Sequence, residues 1–259
     1  MSIQSGLGWT LLGAGAFGII AGGGAYVMKD RAGEAAPRIA LASAALPKDR
    51  AGLDAAIRDY ILTHPEIIPQ AMEQLQNQQA AKTVTLNRKQ IETPFAGAWA
   101  GNPAGDVTLV MFSDYACGFC KASAPDIDRL LKEDKGLKVV WRELPVLGPE
   151  SEVAARVGLA AAKQGRFWDF HNRMFAANGA LDDDKIAVVQ KAAALDPARV
   201  RTDGSARDVS QEISANLMLA RTLRISGTPS FIVGDQLLQG AVGYDTLRKA
   251  ISDHRAKRG

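Results

Sequence analysis

The sequence has two cysteines, Cys117 and Cys120, and three histidines, His64, His171 and His254, that stand singly along the chain. Two thiols cannot build a disulfide-rich scaffold. A structural zinc site needs about four ligands, and neither a second CxxC nor a histidine pair supplies them, so the expected metal is none. Charge of one sign is also missing: 31 Lys and Arg stand against 28 Asp and Glu, for a net +3. No basic cluster is interleaved with aromatics, which argues against nucleic acid as a partner. The basic tail, residues 254–259, is short and reads as a solvated end. What remains is an ordinary globular composition, 47% hydrophobic and 23% charged. The 259 residues suffice for one large domain with an appendage.

One stretch lacks charge altogether. GLGWTLLGAGAFGIIAGGGAYVM, residues 6–28, is about long enough to span a bilayer as a helix, although eight glycines make it weakly hydrophobic. Gly13, Gly15 and Gly18 fit a dinucleotide-loop pattern, but no strand precedes them and no βαβ unit follows. The segment is expected to be an export signal or, with no small-residue cleavage site just beyond it, an uncleaved signal-anchor. Lys29 and Arg31 follow it while residues 1–5 carry no basic side chain. Taken alone, the positive-inside rule would then leave the rest of the chain in the cytoplasm. Residues 29–50 are small and aperiodic, and read as a linker.

Periodicity begins at Leu53. Leu53, Ala56, Ile57, Tyr60 and Ile61 recur at helical spacing. Thr63-His64-Pro65-Glu66 resembles a capping box opening a second helix, with Pro69 as the other candidate start. Ile68, Met72 and Leu75 line one side of that helix. Beyond Leu75 the apolar stripe thins, so residues 51–92 are expected either to pack on another subunit or project as a stalk, or to lie on their own domain. Residues 93–106, rich in proline and glycine, read as a boundary. VTLVMFS (107–113) and LKVVWREL (137–144) read as strands. A helical tract occupies about 150–225, followed by SFIV (230–233), a turn at Gly234-Asp235, QLLQ (236–239) and a closing helix from about Tyr244. Asp182, Asp183 and Asp184 suit a helix start, and Trp168, Phe170 and His171 read as helical packing.

Both cysteines follow the first strand directly, in FSDYACGFC (112–120). A strand running into Cys117 places it at a helix N-terminus, where unsatisfied N–H groups and the helix dipole favour a thiolate. Cys120 returns to the same face one turn later. A bridge over two intervening residues removes little chain entropy, which argues against a structural staple. The pair therefore reads as redox-active, with Cys117 as nucleophile and Cys120 as the thiol that resolves mixed disulfides. Asp114 either exchanges a proton with Cys120 or bonds local backbone groups. Gly118 and Phe119 lie between the cysteines and contribute no charge. In SGTPSF (226–231), Pro229 is the residue type that most readily takes a cis bond. Its missing N–H leaves an open backbone edge beside Thr228 where an extended substrate could pair.

FSDYACGFC, WRELPVLGPES (141–151), FWDFHNRMF (167–175) and GTPSFIVG (227–234) together resemble the DsbA family of exported thiol–disulfide oxidoreductases, and within it the ScsC-like branch with a CGFC active site. The resemblance covers roughly residues 105–256. It implies an α/β thioredoxin fold with a helical domain inserted at about 150–225, which suits the 109 positions between Cys120 and Pro229. It implies Cys117, Cys120, Thr228 and Pro229 as catalytic residues, with Gly118, Phe119 and Gly227 meeting substrate. Residues 57–76 resemble the N-terminal oligomerisation helices of that branch, so a homo-oligomer through residues 51–92 is expected. Gly-Phe in place of the Pro-His of DsbA, and threonine before the proline as in disulfide isomerases, shift the expectation from strong oxidase toward shuffling or reduction. The expected protein is a periplasmic oxidoreductase, with isomerisation among its activities, tethered to the inner membrane by residues 6–28. It needs no cofactor beyond its own disulfide. Its partners would be unfolded or misoxidised exported proteins and a membrane redox protein that resets the cysteines. The alternatives are a copper(I)-binding thiol protein and a chaperone of the cell envelope.

Overall fold

A computed structural model describes residues 49–257. The signal-anchor expected over 6–28 and nearly all of the linker expected over 29–50 lie outside the described residues. Among the described residues no helix is long and apolar enough to cross a membrane. The chain divides into two units at Ile57/Arg58. The fold below is that of the second unit, apart from the first turns of α1 (Arg50–Thr63), a helix that buries none of its residues.

A five-stranded sheet forms the centre, in the order β1-β3-β2-β4-β5. The strands are β1 (Trp99–Gly101), β2 (Val107–Ser113), β3 (Leu137–Glu143), β4 (Ser230–Val233) and β5 (Gln236–Gln239). β2 and β3 pair in parallel, from Val107 opposite Leu137 to Ser113 opposite Glu143. The other three pairings are antiparallel. β2 is apolar almost throughout because helices cover both of its faces. Successive side chains point to opposite faces, so Val107, Leu109 and Met111 join one core while Val110 and Phe112 join another. The first core is closed by α3 (Gly118–Glu133), α5 (Phe167–Ala176) and α9 (Tyr244–Ala256). The second is closed by the end of α2 (Ile67–Glu92) and by α8 (Arg207–Thr222), through Val84, Ile91, Leu219 and Leu223. The helical tract between β3 and β4 resolves into α4 (Pro149–Lys163), α5, α6 (Asp183–Ala192), α7 (Pro197–Gly204) and α8. Asp182 caps α6 by accepting from the Lys185 N–H at 2.8 Å.

Two expectations need correction, and a third is decided between its readings. The capping box at Thr63 does not form. Thr63 is the last residue of α1, and its hydroxyl donates back to the Asp59 and Tyr60 carbonyls. α2 starts at Ile67 without a side-chain cap, and Pro69 is tolerated because first-turn N–H groups have no intrahelical acceptor. The boundary read at 93–106 holds a strand, β1, which pairs with β3 at the sheet edge. Its three residues are too few for a periodic signal, and the glycines and prolines around it masked the rest. Beyond Leu75, where the stripe thins, α2 ends by lying on its own domain. Its last turns bury Val84 and Ile91 against the sheet, whereas Ile68, Met72 and Leu75 remain exposed.

Candidate active site

β2 ends at Ser113 and the chain turns through Asp114-Tyr115-Ala116 into α3, with Cys117 as its N-cap. An N-cap side chain normally accepts from an orphan N–H of the first turn. Here the acceptor is sulfur: Cys117 Sγ takes the Cys120 N–H at 3.4 Å. The same thiol donates to the Thr228 carbonyl at 3.2 Å. One sulfur thus sits between a donor suited to its thiolate and an acceptor suited to its thiol. The Thr228–Pro229 peptide is cis, as the residue types suggested, and this loop brings Thr228 to Cys117 across 111 positions of sequence. Both cysteines are unbridged. Cys117 is 6% exposed and Cys120 fully buried. Burial holds the Cys120 thiol far above the ordinary cysteine range, and a hydrogen bond from the Asp114 backbone opposes this only in part.

The described domain matches the family of DSBA-like thioredoxin domains over residues 108–252. The chain belongs to that family. Residues 49–82 match a second family, the N-terminal domain of the copper resistance protein ScsC. The structure of the thiol-disulfide exchange protein alpha-DsbA2 from Wolbachia pipientis is 30% identical, with a TM-score of 0.64 over 68% of this chain and 96% of that one. A linker-deletion mutant of Proteus mirabilis ScsC is 26% identical, with a TM-score of 0.64 over 80% of this chain and 95% of that one. Among curated relatives, an Na(+)/H(+) antiporter, NhaA 1 of Salinispora arenicola, is 30% identical over 148 residues. That match takes in 56% of this chain but only 23% of the antiporter.

In this DsbA-like domain the other expected site residues surround the cysteines unequally. Phe119 projects beside Cys117 with 69% of its surface exposed. Gly118 opens α3 with open space where a side chain would stand, and the Gly227 carbonyl accepts from the Ser230 hydroxyl at 2.8 Å. Asp114 is buried, and its carboxylate is committed to backbone. One oxygen accepts the Ala116 N–H at 2.8 Å, the other the Val146 and Leu147 N–H groups at 2.8 and 3.1 Å. Of its two readings, the backbone one describes this geometry. The bond network fixes the 144–148 loop, which carries exposed Val146 and Leu147.

Sequence reasoning missed a buried polar group behind the site. The Tyr115 hydroxyl donates to Glu143 Oε1 at 3.0 Å and lies 3.2 Å from His171 Nδ1. Burial holds Glu143 well above the carboxylate range, with the Tyr115 hydrogen bond opposing and the Asp114 charge adding to the rise. Burial also lowers His171 to about 3. The signal for Glu143 was present: a carboxylate at the end of a strand whose alternate positions are apolar is seldom buried without a partner. Also unforeseen is Gln239 at the end of β5, whose Oε1 accepts both the Ser226 N–H at 2.9 Å and the Ser226 hydroxyl at 2.7 Å. It ties down the start of the cis-proline loop.

Proposed function

We propose that this protein is an exported thiol–disulfide oxidoreductase that works as a disulfide isomerase on misoxidised proteins, as an oligomer. The observation that carries this reading is the asymmetry of the pair. Cys117, though only 6% exposed, lines a groove and sits between two hydrogen-bonding groups, whereas Cys120 is sealed and held protonated. Attack by the Cys117 thiolate on a client disulfide forms a mixed disulfide and releases one client thiolate. A second client thiolate can then attack the client sulfur of that bond, closing a new client disulfide and returning Cys117 as thiolate, with no net redox change. Alternatively Cys120 loses its proton to the released thiolate and attacks Cys117, which oxidises the pair and reduces the client. Exchange rates follow the thiolate fraction of the attacking sulfur. A resolving thiol held protonated therefore leaves the mixed disulfide time to be rearranged.

Client capture is supported by exposed Phe119, Val146 and Leu147 around a nearly buried sulfur, an apolar surface of the kind an unfolded chain would cover. Oligomerisation through residues 51–92 is supported by α2. At ~100° per residue, exposed Ile68, Met72, Leu75 and Leu86 share one side, roughly opposite the face that buries Val84 and Ile91. That stripe faces away from its own domain and suits a second copy. Export rests on the resemblance and on the uncharged segment 6–28. A membrane partner would be needed to reset the pair whenever Cys120 resolves. Copper(I) as ligand of the two thiolates is the weaker reading, because it requires a second thiolate at the fully buried Cys120.

The test is trapping. Cys120→Ala, incubated with a protein carrying scrambled disulfides, should accumulate dithiothreitol-sensitive adducts on Cys117, and Cys117→Ala should form none. Full turnover by the Cys117→Ala variant would overturn the reading.

A further inference from the structure

A groove of about 380 Å³ runs along one side of Cys117, walled by the start of α4, by Lys121 of α3 and by Lys185 of α6. Its chemistry is not accounted for by thiol exchange. Neither ammonium meets a carboxylate among the described residues: Lys121 Nζ donates to the Ala177 carbonyl at 2.7 Å and Lys185 Nζ to the Gly179 carbonyl at 3.4 Å. The two charges are near enough for Lys121 to depress the Lys185 pKa, second to burial and against the pull of Asp182. Another wall is the start of α4, which has no side-chain cap and opens on Pro149, so the N–H groups that follow the proline are presented there, with Glu150 and Glu152 in the same turn offsetting part of the dipole's positive end. Ser151, in that first turn, lines the groove, is 1% exposed, and its hydroxyl has no hydrogen-bond partner among the described residues. An orphaned buried hydroxyl costs stability unless something it bonds arrives from outside. The lining holds one carboxylate, on exposed Glu150, against the two lysines.

We infer that this groove is a subsite for a carboxylate, and that it selects client cysteines flanked by an acidic residue. The inference rests on thiol–disulfide exchange at Cys117 and adds the substrate feature that exchange prefers. When a client thiolate attacks the oxidised pair, a sulfur–sulfur bond forms to Cys117 and Cys120 leaves as thiolate. The client segment then lies alongside Cys117. A neighbouring Glu or Asp placed in the groove meets two ammonium groups and the head of α4, and a small shift of that wall brings the sealed Ser151 hydroxyl within bonding reach.

The experiment uses the oxidised full chain and short peptides with a single cysteine flanked by Glu, Gln or Lys. Second-order rates of loss of the Cys117–Cys120 disulfide are corrected for each peptide's thiolate fraction. The Glu peptide should react about three- to ten-fold faster than the Gln peptide, with Lys slowest, and salt should compress the range. In Lys121→Gln/Lys185→Gln the Glu-to-Gln ratio should fall to near one. Ser151→Ala should lower the ratio while raising the melting temperature slightly, because it removes a buried hydroxyl that has no bond to lose. A Glu-to-Gln ratio of one in the wild type, or a ratio that survives removal of both lysines, overturns the subsite. Failure of all three peptides to reduce the pair would overturn the exchange reading beneath it.

Discussion

At the scale of single residues, the difference between the two cysteines governs behaviour. Cys120 is fully buried, and burial keeps it protonated far beyond neutral pH. Brief alkylation of the reduced protein at pH 8 is expected to label Cys117 alone, with Cys120 reacting only after denaturation; mass spectrometry of the two peptides separates these outcomes. Glu143 makes the opposite kind of statement, about stability. Its folded value lies well above 4.5, so its contribution is fully present below that pH and is lost as pH rises. His171 runs the other way. Its burial as a neutral ring is tolerated above 6.5 and becomes a penalty as pH falls toward about 3. Glu143→Gln keeps an acceptor for the Tyr115 hydroxyl and removes the ionisation. Its melting temperature should therefore exceed that of the wild type at pH 7 and converge with it near pH 4; a lower value at pH 7 would show that the carboxylate is needed charged. The cysteines and the Thr228-Pro229 dipeptide were legible in sequence because local spacing and residue type define them. The Tyr115–Glu143–His171 group was not, since its members come from a loop, a strand end and a helix that only the fold brings together.

At the scale of elements, β2, β3, β4, β5 and the start of α9 were legible almost to the residue, because apolar runs bounded by glycine and charge leave little freedom. The end of α2 was not. It is held by Arg142, a side chain 4% exposed that donates to the Ile91, Gln90 and Thr93 carbonyls and pairs with Glu212 at 2.7 Å. An arginine within an apolar strand carries no sequence mark of the helix end it will meet. Removing one partner of a buried ion pair costs about 3–5 kcal/mol. Arg142→Ala should lose stability of that order in denaturant titration and free the last turns of α2, seen as faster amide exchange at 84–92. Gly158 on α4 is a second such point. A Cβ there would stand 2.9 Å from the Tyr115 hydroxyl and 3.5 Å from Glu143 Oε1. Overpacking of this kind costs about 1–3 kcal/mol, so Gly158→Ala should destabilise the fold and displace the turn that leads into Cys117.

At the scale of the molecule, a thioredoxin-type sheet carries the Cys117–Cys120 pair at the head of α3, and α2 carries an apolar stripe turned away from its own domain. Joining copies through that stripe would present more than one Cys117 to a single client. Met72→Glu/Leu75→Glu replaces exposed side chains and should leave the fold intact while reducing the mass measured by analytical ultracentrifugation. The most direct test of isomerisation by Cys117 is the reactivation of a scrambled multi-disulfide protein by the full chain. The account predicts reactivation that is lost in Cys117→Ala and much reduced in Met72→Glu/Leu75→Glu. Absence of reactivation by the wild type, or reactivation that persists without the Cys117 thiol, would contradict it.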